Sequence, residues 1–72
     1  MNQWTLIPIN GIEYVRIMAC ELETGDVNVD HLKLIDINIG EYNGRVKLTW
    51  SNGYVQYLRH NTTVLIDAKT VV

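Results

Sequence analysis

The chain has 72 residues, 47% of them hydrophobic, a formal net charge of −2 and one cysteine, Cys20. A length of this order makes one small domain, residues 1–72, and the apolar content argues against disorder. One thiol excludes an intramolecular disulfide, no Cys/His cluster offers a zinc site, and the acidic balance argues against a generic nucleic-acid binder.

Trp4–Ile9 is expected to form a first strand and Ile12–Glu21 a second, joined by Asn10-Gly11. Asn-Gly tolerates positive φ at both central positions, which suits a two-residue hairpin loop. That loop pairs Ile9 with Ile12, Ile7 with Tyr14 and Leu6 with Val15. Because side chains alternate along a strand, both faces of this hairpin come out largely apolar. A surface strand pair normally keeps one polar face. The second apolar face is therefore either covered within the fold or turned to another chain. Pro8 lacks a ladder donor, which fits an edge strand.

Residues 22–30 read as an acidic turn around Thr24-Gly25-Asp26. With Glu21 just before it, Glu23, Asp26 and Asp30 give residues 21–30 a local charge of −4. Asp26-Val27-Asn28-Val29-Asp30 resembles the start of a calcium loop. The sixth and twelfth positions, which need Gly and a bidentate acid, hold His31 and Ile37, so no metal is expected.

A third strand is expected over Leu32–Ile39, with Ile35, Ile37 and Ile39 on one face and Leu34, Asp36 and Asn38 on the other. A short helical turn at Asp30–Leu34, capped by Asp30 or Asn28, is the alternative. Gly40–Gly44 reads as a loop. Arg45–Ser51 and Tyr54–His60 form a hairpin around Asn52-Gly53. A two-residue loop there opposes Trp50 to Val55 and Leu48 to Tyr57 on a core face with Val46. The opposite face carries Arg45, Lys47, Thr49, Ser51, Tyr54, Gln56, Leu58 and His60, and Arg59 falls nominally on the core side. A last strand is expected over Thr63–Ala68, with Val71-Val72 as an extension.

These elements predict an all-β fold of five or six short, mostly antiparallel strands, as a small barrel or strongly bent sheet. In general plan it resembles the SH3-like and Sm-like small barrels, without a diagnostic motif of either. That resemblance bears on architecture only.

No phosphate loop, nucleophile elbow or HExxH pattern is present, and His31 and His60 lack an evident catalytic partner. The chain is accordingly expected to be non-enzymatic and to need no cofactor. No secretory signal or membrane span is read from the sequence, and a free thiol fits a reducing cytosol. The expected role is a small interaction module, an inhibitor, adaptor or assembly component of the kind phages and mobile elements encode. Its partners would be a larger protein, a second copy of itself, or both. Trp4, Leu6, Tyr14 and Val15 are the candidate apolar contacts, and Glu21, Glu23 and Asp26 the charged ones. The alternative is nucleic-acid binding through Arg45, Lys47, Tyr54, Gln56 and His60.

Overall fold

The computed structural model describes residues 5–71. It is all-β, built as two three-stranded antiparallel sheets whose ladders do not close into a barrel. One sheet has the order β1-β2-β6, with β1 Ile7–Ile9, β2 Ile12–Met18 and β6 Thr63–Asp67. The other is a meander of β3 Leu34–Tyr42, β4 Arg45–Trp50 and β5 Val55–Arg59. Short 3-10 turns follow β2 at Ala19–Glu21 and β6 at Ala68–Thr70. No helix among the described residues is long and apolar enough to cross a membrane.

The first hairpin pairs Ile9 with Ile12 and Ile7 with Tyr14, the register its turn dictates. Asn10 and Gly11 both take positive φ, 50° and 82°. Pro8 lies on β1, an edge strand, where its missing donor costs nothing in the ladder. Within β2, Tyr14, Val15 and Ile17 are buried, so neighbouring residues on opposite faces are both covered. Part of the cover comes from chain running back past β2. β6 pairs with it, and the closing 3-10 turn packs beside it. No strand continues through Val71, because the chain turns at Ala68 instead.

Asn43-Gly44 is also a two-residue turn, with φ of 53° and 77°, so most of the expected 40–44 loop is strand. Asn52-Gly53 behaves differently. Only Gly53 has positive φ, 86°. Its N–H donates to the Trp50 carbonyl at 2.8 Å, and the Trp50 N–H donates to the Tyr54 carbonyl at 2.9 Å. The loop is thus Ser51-Asn52-Gly53, a type I turn followed by a left-handed bulge residue. One extra loop residue corrects the expected register. Leu48 opposes Gln56, Lys47 opposes Tyr57 and Arg45 opposes Arg59. A one-residue slip moves every β5 side chain to the other face.

β3 carries a second correction. Its register shifts between Leu34 and Asp36. Leu34 then opposes Trp50, Ile37 opposes Leu48 and Ile39 opposes Val46, and of these Leu34 and Ile37 reach the interior while Ile39 stays exposed. Ile35 sits in the bulge, 53% exposed. The core gathers Val15, Ile17, Ala19, Leu22, Leu34, Val46, Leu48, Trp50 and Ile66 from both sheets.

Candidate functional site

The segment joining the sheets, residues 22–33, is where the acidic stretch lies, and it is an ordered arm rather than a solvated loop. Asp26 is 5% exposed. Its Oδ2 accepts the Glu23 N–H at 2.9 Å, while its backbone accepts from Leu34 at 2.8 Å. Burial raises the Asp26 carboxyl above its ordinary value. The hydrogen bond from Glu23 acts in the opposite sense, and the Glu23 charge adds to the rise. Asn28 is also buried, and its Oδ1 accepts the N–H groups of Asp30 at 2.9 Å and Leu32 at 3.0 Å. No helical turn forms at Asp30–Leu34. The chain reverses there through His31, with φ of 62°.

These positions correct several candidate contacts. Tyr14, Val15 and Asp26 are inside the fold and cannot be offered to a partner. Leu6, Glu21 and Glu23 are exposed. Trp4 lies outside the described residues.

The second hairpin is also redistributed. Gln56 leaves the basic face and accepts the Trp50 Nε1–H at 3.1 Å. Tyr54 joins them, lining with Trp50, Gln56, Val29, Leu32 and Val64 a groove of about 360 Å³. His60 is exposed in the turn after β5, and its carbonyl accepts the Cys20 N–H at 3.2 Å. Leu58 points inward and packs against the core.

Arg59 takes the opposite course and arrives beside Arg45. The outer face of β4 and β5 therefore presents Arg45, Lys47 and Arg59, with Tyr57 opposite Lys47 and Val55 opposite Thr49. Tyr57 is 48% exposed. On the neighbouring strand Asn38 lies opposite Lys47 and Asp36 opposite Thr49. Sequence reasoning missed Arg59 and Tyr57 because it assigned them to the core side. The signal that finds them is the interior need of Trp50: a buried indole N–H requires an acceptor, and Gln56 supplies it only in the observed register.

The second exposed feature is the outer edge of β3. This strand ends its sheet, and Ile35 and Ile39 are each 53% exposed. The arm occupies only its beginning, through bonds of Gly25 and Asp26 to Leu34. Among the described residues no group of three or more His, Cys, Asp or Glu could hold a metal ion. No family model, curated protein or solved structure matches the chain.

Proposed function

We infer that this chain is a small, non-enzymatic protein-interaction module that works by strand addition at the β3 edge, to a second copy of itself and to a larger protein. One observation carries this reading. β3 is the longest strand, it is a sheet edge, and it exposes two isoleucines. An edge of this kind offers unpaired N–H and C=O groups as a template for another strand. An added strand there would cover part of Ile35 and Ile39, each 53% exposed.

The geometry also limits the contact. Bulges at Ile35 and at 40–41 bend both ends of the strand and leave Asp36–Ile39 as the regular stretch. So short an added strand makes a transient, concentration-dependent association. In an antiparallel pairing centred on Ile37, Ile35 opposes Ile39 of the second copy and Asp36 opposes Asn38, so no like charges meet. Leu6 and Ile9, at the β1 edge of the other sheet, are further exposed apolar side chains.

Sedimentation velocity across a wide concentration range tests the reading. Reversible dimers are expected, and Ile39→Lys is expected to return the chain to monomer with its circular dichroism spectrum unchanged. A chain that stays monomeric throughout removes the self-association. Dimers indifferent to Ile35→Lys and Ile39→Lys place the contact elsewhere.

A further inference from the structure

We propose that Asn10-Gly11 is a site of self-modification, where the tip of the first hairpin closes to a succinimide and opens to aspartate and isoaspartate, ahead of the chain's other Asn-Gly steps. The inference concerns the β1-β2-β6 sheet and does not rest on the β3 edge.

The sequence holds three such steps, Asn10-Gly11, Asn43-Gly44 and Asn52-Gly53. Glycine has no Cβ to shield its own amide nitrogen, so that nitrogen can reach the preceding side chain. All three steps are exposed. A Cβ built on Gly11, Gly44 or Gly53 would meet nothing within 4 Å. Access and room therefore do not choose between them. Hydrogen bonding does.

In the reaction the Gly11 nitrogen gives its proton to hydroxide and attacks Asn10 Cγ. An N–Cγ bond forms, the Cγ–Nδ2 bond breaks, and ammonia leaves with a proton taken from water. Water then opens the ring. Addition at the side-chain carbonyl gives aspartate. Addition at the main-chain carbonyl gives isoaspartate, whose backbone runs through the former side chain and is one methylene longer. Either product carries one more negative charge. For the attack the glycine nitrogen must swing to the side of the asparagine Cβ, so the turn has to open and both groups must be released.

At Asn52-Gly53 both groups are held. The Gly53 N–H donates to the Trp50 carbonyl at 2.8 Å, and Asn52 Oδ1 accepts the Tyr54 N–H at 2.9 Å. At Asn10-Gly11 neither the Asn10 side chain nor the Gly11 N–H has a hydrogen-bond partner among the described residues. Opening that turn releases only the terminal Ile9–Ile12 pair. β1 has three residues, and Pro8 gives its ladder no donor. Asn43-Gly44 has the same left-handed pair, but it joins strands of nine and six residues and so opens less often. The two additional hydrogen bonds that Asn52-Gly53 must break slow it by roughly tenfold or more against Asn10-Gly11.

The test is a time course of the intact chain at mildly alkaline pH, in buffer and in guanidinium chloride. Cleavage after Arg16, Lys33, Arg45, Lys47 and Arg59 puts the three steps in different peptides. Tandem mass spectrometry then locates each mass gain. In denaturant the three rates should converge. In buffer Asn10 should react first and Asn43 second, and Asn52 should be slowed, relative to its own denatured rate, about tenfold or more beyond Asn10. Asn10→Gln should remove the earliest acidic species on anion exchange and leave the rates at Asn43 and Asn52 unchanged, because the longer side chain closes a less favourable six-membered ring. Asn43 or Asn52 reacting first in buffer overturns the proposal. So does equal slowing of Asn10 and Asn52 by folding, or an Asn10→Gln chain that gains charge as fast as the parent.

Discussion

Asp26 shows most directly how burial at one residue sets a property of the whole chain. Its carboxyl is held against the Glu23 N–H in a part-buried turn, and the cost of desolvating the charge outweighs the hydrogen bond. A carboxyl raised in the folded state binds its proton more tightly there than in the unfolded chain. Folding therefore takes up a proton in the window above the ordinary aspartate value of 3.8, and this residue's contribution to stability falls as pH rises through that window. At neutral pH its ionised carboxyl therefore stabilises the fold less than the protonated form would. Asp26→Asn keeps an oxygen for the Glu23 N–H and removes the charge. The variant should be more stable than the parent at pH 7. The gap should close as the pH falls below the ordinary aspartate value, where both carry a neutral side chain. Urea midpoints of the two proteins at matched pH values check this. A gap that widens on acidification would show that the hydrogen bond, not burial, dominates.

Among the elements, two turns share one design with different residues at the critical position. In the 50–54 turn, Gly53 N–H closes on Trp50, and Trp50 N–H on Tyr54. In the 28–32 turn, His31 N–H closes on the Asn28 carbonyl at 3.0 Å, and Asn28 N–H on the Leu32 carbonyl at 2.9 Å. The left-handed residue is glycine in the first and His31 in the second. A side chain in that conformation costs about 1–2 kcal/mol. Glycine returns about 0.4–1 kcal/mol of that through the freedom of the unfolded chain. His31→Gly should therefore stabilise by about 0.5–1 kcal/mol, read as a higher denaturation midpoint with an unchanged slope. A loss would mean that the imidazole makes a stabilising contact.

The same turns explain which elements were legible in the sequence. The Asn10-Gly11 hairpin was, register included, because Ile9 and Ile12 leave the turn only one place to sit. The second hairpin was located but misaligned. Val55, Tyr57 and Arg59 on one face and Tyr54, Gln56 and Leu58 on the other are about equally apolar, so alternation does not choose between them. What chooses is a long-range demand, the Trp50 indole on Gln56. Ile35 misled for a related reason. Its run of alternating isoleucines conceals the bulge, which is fixed by Leu34 reaching the core opposite Trp50. The candidate site moved with these registers. Arg45 and Lys47 were legible as exposed cations, whereas Arg59 and Tyr57 become visible only once β5 is turned over.

At the scale of the molecule, the two sheets are held together by more than their shared core. The arm stitches them at both ends. The Asp67 N–H donates to the Val27 carbonyl at 2.7 Å, and the Val27 N–H donates to Thr70 Oγ1 at 3.1 Å. On the other sheet the Ser51 N–H donates to the Lys33 carbonyl at 2.8 Å, and Ser51 Oγ accepts the Lys33 N–H at 3.1 Å. Asn28 shapes the reversal between these two seams. Asn28→Ala strands two N–H groups, at about 1 kcal/mol or more each. For a chain of this length, total stability is about 4–11 kcal/mol, so a loss near 2 kcal/mol is a large fraction of it. The loss should also have a location. Hydrogen exchange at the Asp67 and Ser51 amides, the donors across the seams, should speed up together, ahead of exchange in the centre of β2 and β4. Acceleration confined to Asp30 and Leu32 would show that the seams hold without the turn. Joint acceleration would make the arm a single cooperative unit, and would mean that the orientation of the basic β4–β5 face relative to β1-β2-β6 is set by one buried amide.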